Sequence, residues 1–418
     1  MWFGLPGSEF WRRLAVVVGV AMMMVVSAGS ASADRNFSQW VEELWPEARA
    51  KGISEGTFRR AFDGVTPDPE VIELASRQPE FVRPVSDYIA SAVSDERIET
   101  GQEMLARHAG VLDLIEARYG VSRYIVVAIW GIESSYGEVL DNKNIVRPVI
   151  RSLATLAYQG GRRSTFGKQQ LLAALQILER GDVRPEQMYG SWAGAMGHTQ
   201  FIPTTYNQYA VDFDGTGRRD IWNSIPDALG SAAAYLSARG WRTGKTWGYE
   251  VTLPEGFDFA LADGDARRSL SEWERHGVRR VQGQAFPRPD DEAYLMLPAG
   301  ARGPAFLALP NFRTILAYNN ANSYALAVGH LADRLKGFNP IVGEWPENDR
   351  PLTAAQRREM QEHLVSRGYD TGGIDGMVGP KTRSAIRSFQ SRIGLPADGY
   401  ASYSLLQRLR NQTASADR

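Results

Sequence analysis

Cysteine is absent from the 418-residue chain, which excludes disulfides, cysteine-ligated zinc, thiol catalysis and a lipid-modified N-terminal cysteine. Histidine is scarce. His108, His198, His276, His330 and His363 are scattered without HExxH-like spacing, so they read as polar or capping residues rather than metal ligands. An excess of charge of one sign is also missing: 47 Lys+Arg stand against 48 Asp+Glu, a formal net charge of -1, which removes the basic footprint of a nucleic-acid binder. Beyond the N-terminus no run is apolar for the ~20 residues that span a bilayer.

What is present is an ordinary globular composition, 43% hydrophobic and 23% charged, with enough length for more than one domain. Arg12 and Arg13 precede LAVVVGVAMMMVVSAG, and ASA at 31–33 offers small residues for cleavage, which predicts a signal peptide over residues 1–33. The apolar run from Leu14 to Val26 is too short for a membrane anchor, so the mature chain is expected outside the cytoplasm without a membrane span. The paired arginines hint at twin-arginine export, although the rest of that motif is absent.

From Phe37 to about Ala238 apolar residues recur at three- and four-residue spacing, as in FSQWVEELW, VLDLIEARY and LLAALQILERG, which predicts helices. Between about residues 241 and 313 the short runs YEVTLP, YLMLP and AFLALP, bounded by Gly and Pro, predict a small β-containing insert. Helix returns in SYALAVGHLADRLKG, ending a first domain over 34–336. GFNPIVGEWPENDRP (337–351) then has the Pro, Gly and acidic residues of a linker. Residues 352–410 predict three short helices around GGIDGMVGPKTRSAIRSFQ, a size that suits a binding module, with a tail over 411–418. Basic residues outnumber acidic ones in this module. A polyanionic ligand and a solvated surface both fit that excess.

The stretch GIESSYGE (131–138) places Glu133 directly after the oily run Ile125–Trp130, with Gly137 as the expected helix C-cap. Burial and the negative end of the helix dipole both disfavour a charged carboxylate there. A carboxylic acid kept protonated is what general acid catalysis at a glycosidic oxygen requires. For a lone glutamate, a buried side chain satisfied by a neighbour is the competing reading. SWAGAMGHTQFIPTTY (191–206) sets small residues beside Gln200, Phe201 and Tyr206, and AYNNANSYALA (317–327) clusters Tyr318, Asn319 and Tyr324. Small residues let backbone approach a ligand, and amides and rings suit sugars. Ordinary turns and caps would explain each stretch taken singly.

Taken together and in order, ESSYG, GAMGHTQFIPTTY, DFDGTGRRDIWNSIPDALGSAAAYLSARGW and LAYNNANSYA closely resemble the B-type family of lytic murein transglycosylases. With RQPEFVRPVSDYI upstream, the resemblance covers roughly residues 37–336. It implies a mainly α, lysozyme-like transglycosylase domain with a small β-containing insert. It also implies non-hydrolytic cleavage of the MurNAc-GlcNAc β-1,4 bond of peptidoglycan to 1,6-anhydromuramic ends, in the periplasm, for wall remodelling or turnover. The family's catalytic acid/base falls on Glu133, and its substrate-positioning groups fall on Ser191, Gln200, Tyr318, Asn319 and Tyr324. The segment 352–410 resembles the small peptidoglycan-binding domain attached to many cell-wall enzymes, although DGYASYSLLQRL has serines where glycine and threonine are common. Partners implied are peptidoglycan strands and other cell-wall enzymes, with no nucleic acid. A hydrolytic muramidase, which would need a second carboxylate such as Glu138 or Asp141, and a non-catalytic wall-binding protein are the rival readings.

No cofactor is required by such chemistry. A structural calcium is nevertheless suggested by DFDGTGRRDIW (212–222), which partly follows a calcium-loop pattern with Asp212, Asp214 and Gly217 in place. Thr216 and Asn223 stand where stronger ligands are usual, so Arg218 would give its carbonyl and Asp227 a carboxylate from the next helix. A polar turn capping a helix that begins near Pro226 explains the same residues.

Overall fold

The computed structural model describes residues 26–76, 83–262, 266–347 and 350–416. The expected signal peptide up to residue 25 and the RQPEFV portion of the upstream motif (77–82) lie outside the described residues. The chain is mostly helical and forms two units interleaved in sequence: the described part of Met1–Gln78 with Ile129–Tyr235, and that of Pro79–Ala128 with Leu236–Arg418. Helices α7 (Arg123–Ser134) and α11 (Ile225–Ala238) run from one unit into the other.

The first unit contains helices α1 (Val26–Ala50), α2 (Glu55–Phe62), α3 (Pro69–Ser76), α8 (Val149–Tyr158), α9 (Ser164–Arg180) and α10 (Pro203–Tyr209). In α1, Phe37, Val41, Leu44 and Ala48 are buried, one 3.6-period face. Ser54 caps α2, its Oγ accepting the Thr57 N–H and donating to Glu179 of α9 at 2.8 Å. The α8–α9 pair is close enough that a Cβ on Gly167 would sit 2.8 Å from the Ala157 nitrogen. Two short strands, β1 (Arg147–Pro148) and β2 (Tyr189–Gly190), pair antiparallel.

The second unit opens with α4 (Val85–Ala92), α5 (Asp95–Arg107) and α6 (Ala109–Tyr119). An antiparallel sheet follows in the order β4-β6-β7-β3-β5: β3 (Gly248–Thr252), β4 (Arg268–Ser269), β5 (Arg279–Arg280), β6 (Glu292–Met296) and β7 (Ala305–Ala308). Val251, Leu270, Trp273, Leu295 and Leu307 fill a core of its own. Within the insert, α12 (Leu270–Arg275) starts at a capping box in which Ser269 and Glu272 bond each other's backbone N–H. Helices α13 (Pro310–Tyr318) and α14 (Asn322–Leu335) pack together, and α14 also packs on α4 and α5.

The last three helices, α15 (Ala354–Val365), α16 (Pro380–Arg392) and α17 (Tyr403–Ala416), enclose Met360, Leu364, Ile386, Phe389 and Leu406. Helix α17 continues through part of the expected tail. Two Asp-Gly turns are latched alike: Gln361 accepts the Gly376 N–H at 2.7 Å and Gln390 accepts the Gly399 N–H at 2.9 Å. Asp398 of the second turn also accepts the Ala301 N–H at 2.7 Å, joining module to insert. The expected linker is likewise held down, because the Glu250 carboxylate accepts the N–H of Val342 at 3.0 Å and of Gly343 at 2.6 Å.

Candidate active site

Helix α7 forms because Ile125–Trp130 is an unbroken apolar run whose residues are all buried. It ends at Ser134, ahead of the expected cap at Gly137, because Ser135, Tyr136 and Gly137 are all left-handed at φ 48°, 58° and 99°. A side chain in that region costs roughly 1–2 kcal/mol, so the turn must be held by its surroundings. The Ser134 Oγ lies 2.7 Å from the His198 carbonyl oxygen and accepts the Gly137 N–H at 3.1 Å. The Trp130 indole N–H donates to His198 Nδ1 at 3.0 Å, which requires an unprotonated Nδ1.

Two glycines let this cluster close. A Cβ on Gly131 would lie 2.5 Å from the Tyr136 ring, and one on Gly137 would lie 2.4 Å from the His198 ring. Trp130 meets both rings edge-on, Tyr136 at 5.5 Å and His198 at 5.7 Å between centroids. Glu133, 7% exposed, is thereby presented at the end of a rigid helix, next to a turn with little freedom.

Ser191 and Gln200 lie in the same unit as Glu133, on the loop that carries His198. Ser191 Oγ accepts the Ala195 N–H at 3.0 Å, and Gln200, at φ 50°, donates through Nε2 to the Gly197 carbonyl at 2.9 Å. His198 anchors the loop at Ile221, whose carbonyl accepts its N–H at 3.0 Å. Tyr318, Asn319 and Tyr324 belong to the second unit, where the two tyrosine rings stack at 6.4 Å and 14° across the α13–α14 corner. The sequence reading missed His198 and Trp130. A histidine between glycine and threonine in GAMGHTQF was the available signal, but its partner lies 68 positions away.

Among the described residues of the first unit four acidic ones are buried: Asp68, Glu133, Asp182 and Asp227. Asp68 faces Arg147 at 3.6 Å and accepts the Glu70 N–H. Asp182 pairs with Arg219 at 2.5 Å and Arg180 at 3.2 Å; burial pushes its carboxyl up, but the Arg219 hydrogen bond and charge more than offset this and hold it below the usual range. Asp227 accepts the N–H groups of Phe213, Asp214 and Asp220, and burial, the largest effect, pushes its carboxyl up. Glu138 and Asp141, the candidate second carboxylates, are both exposed.

Oxygens of Asp212, Asp214 and Asp227 lie within 4.8 Å of one another. None of the three joins an ion pair among the described residues. Thr216 N–H donates to both Asp212 and Asp214, and Gly217, at φ 88°, donates to Asp212, so the loop curls around its carboxylates. Three clustered hard oxygen donors, none of them ion-paired among the described residues, fit a divalent ion of the calcium kind. Arg218 is exposed and its side chain takes no part.

The family model described as "Transglycosylase SLT domain" matches residues 36–333. The chain belongs to the SLT transglycosylase family. A peptidoglycan binding domain model matches residues 353–409 of this SLT transglycosylase. It is similar to Pseudomonas aeruginosa SltB3, solved in complex with NAG-anhNAM-pentapeptide, at 55% identity and a TM-score of 0.86, covering 90% of this chain and 99% of that one. Membrane-bound lytic murein transglycosylase B of Escherichia coli is 31% identical over 249 residues, 58% of this chain and 65% of that protein's length. Escherichia coli lytic transglycosylase SLT35, solved in complex with calcium, shares 27% identity at a TM-score of 0.58, covering 72% of this chain and 93% of that one.

Proposed function

We propose that this chain is a peptidoglycan lytic transglycosylase with Glu133 as its single acid/base. The observation that carries this reading is that Glu133 is a buried carboxylate at the end of the apolar helix α7, against the left-handed turn of Ser135, Tyr136 and Gly137 and in the unit that also holds Ser191 and Gln200, while Glu138 and Asp141 are exposed. Glu133 protonates the oxygen between N-acetylmuramic acid and N-acetylglucosamine, the C1–O bond breaks, and glucosamine leaves with its 4-hydroxyl. The acetamido oxygen of the substrate stabilises the cationic C1. The carboxylate of Glu133 then takes the proton of the C6 hydroxyl, whose oxygen closes on C1 as a 1,6-anhydro ring. No water enters, and Glu133 ends protonated as it began. Ser191, Gln200, Tyr318, Asn319 and Tyr324 position the strand.

The chain acts in the periplasm after loss of residues 1–33, and the segment 352–410 holds it on the wall; other cell-wall enzymes are its candidate protein partners. Asp212, Asp214 and Asp227, with Thr216 and the Arg218 carbonyl, hold a structural calcium that neutralises the clustered carboxylates.

Glu133→Gln tests the assignment, because it keeps size and removes the transferable proton. Wild-type digests of murein sacculi should contain non-reducible 1,6-anhydromuramic ends, and the variant should release them ~10²–10⁴-fold more slowly with an unchanged melting curve. Reducible muramic ends from the wild type would make water the acceptor and the chain a muramidase. Near-normal turnover in the variant would place the acid elsewhere.

A further inference from the structure

The second unit holds a cavity of about 310 Å³ between strands β3 and β5, the end of α14 and residues 337–342, and none of the candidate residues above lines it. Its volume is at the lower end of the range for small-ligand sites, ~300–1,000 Å³. The charged groups around it are already engaged. Glu250 holds the Val342 and Gly343 N–H groups, Arg280 lies over the Tyr249 ring at 4.8 Å and donates to the Ala285 carbonyl, and Asp333 accepts the Trp247 indole N–H at 2.9 Å. Burial pushes the Asp333 carboxyl up to about 6 and the His330 imidazole down to about 4, disfavouring charge on both.

What remains open at the rim is of another kind. The side-chain amides of Gln282, Gln284 and Asn339 are exposed and have no hydrogen-bond partner among the described residues. Phe338 presents its ring at 59% exposure beside them. Gln282 is held at φ 65°, a strained setting for a residue with a Cβ. An amide gives a donor and an acceptor in one plane, which suits the hydroxyl and acetamido groups of a sugar, and an exposed ring suits its C–H face. A peptide stem or lactyl acid carries carboxylates, and the cation lining the cavity, Arg280, is committed elsewhere.

We propose that this cavity is an accessory subsite for an uncharged N-acetylhexosamine unit of a glycan strand, separate from the catalytic residues; the proposal rests on the peptidoglycan reading above. Hydrogen exchange of the full-length Glu133→Gln protein with the neutral probe chitotetraose tests it. Exchange should slow in peptides covering 280–284 and 337–342. In a chain that also carries Phe338→Ala and Gln284→Ala, both exposed positions, the concentration needed for that slowing should rise at least tenfold at an unchanged melting midpoint. No slowing in those peptides, or equal slowing in both proteins, overturns the subsite. Sacculus digestion by the wild type and by the Phe338→Ala, Gln284→Ala chain, both with Glu133 intact, separates the two claims: absence of anhydro ends from both sinks the enzymatic reading whatever the exchange data report, whereas anhydro ends from both alongside equal exchange slowing sinks the subsite alone.

Discussion

Replacing Gly137 by alanine attacks the turn after Glu133 through geometry alone. The residue sits at φ 99°, where a Cβ costs roughly 1–2 kcal/mol, and that Cβ would stand 2.4 Å from His198 Cε1 and 2.7 Å from Nδ1. Carbon atoms at rest keep ~3.5 Å apart, so the ring must move by about 1 Å. It is not free to do so, since its Nδ1 accepts the Trp130 N–H and its carbonyl meets Ser134. Overpacking of this kind costs a further ~1–3 kcal/mol, for a total of about 2–5 kcal/mol. Gly181 supplies the control: it has φ 75° and nothing within 4 Å of its Cβ, so Gly181→Ala should lose only the conformational ~1–2 kcal/mol. Thermal melting should order the proteins wild type, Gly181→Ala, Gly137→Ala. Release of anhydro ends from sacculi should fall ~10²-fold in Gly137→Ala alone, the loss expected when a catalytic group is misplaced by about 1 Å. Equal melting and equal turnover in the two alanine variants would refute the claim that the His198 contact positions the turn.

Other expectations are separable from this one. Asp182→Asn should destabilise the chain by less than the ~3–5 kcal/mol of a fully buried broken pair, because Arg219 keeps 21% of its side chain exposed. Since the folded-state carboxyl of Asp182 titrates below its unfolded value, the wild-type advantage should be full above about pH 4 and shrink as pH falls further; pH-dependent melting of both proteins checks the sign. Calcium added to chelated protein should raise the melting midpoint, by an amount equivalent to ~2.7 kcal/mol at a hundredfold excess over Kd, and Asp214→Asn should abolish the rise; an unmoved wild-type midpoint removes the site. Truncation after residue 351 should weaken retention on sacculi while leaving turnover of short soluble muropeptides nearly unchanged, and equal retention would deny the module a tethering role.

The fold was legible where its causes are local. Helices α6, α9 and α14 fall on the runs read as helical, and strands β3, β6 and β7 on the short β-prone runs bounded by Gly and Pro, because both signals lie within a few neighbouring residues. Glu133 could be singled out as the charge that closes an oily helix, but its five companion residues were reached by resemblance. The left-handed turn was not legible: glycines at 131 and 137 are plain in the sequence, but the rings for which they leave room belong to Tyr136 and His198. Nor did anything around Glu250 announce that it would hold the linker at Val342 and Gly343, or around Asp398 that it would bond Ala301. Such bonds join positions about a hundred residues apart and depend on tertiary placement, which no short window contains.

The interleaving of the two units has a kinetic consequence. Helices α1 to α3 belong with residues that begin only at Ile129, after an intervening segment that belongs elsewhere. A chain emerging N-terminus first therefore presents Phe37 before its ring partner Tyr158 on α8 exists, and α2 and α3 before α8 and α9, on which they pack. At ~5–20 residues per second, residues 79–180, through the end of α9, take roughly 5–20 s to appear. During that interval these surfaces must be sheltered or the chain kept extended. Closing so long a loop also delays the productive contacts themselves, so refolding from denaturant should be slow and prone to aggregation in proportion to protein concentration.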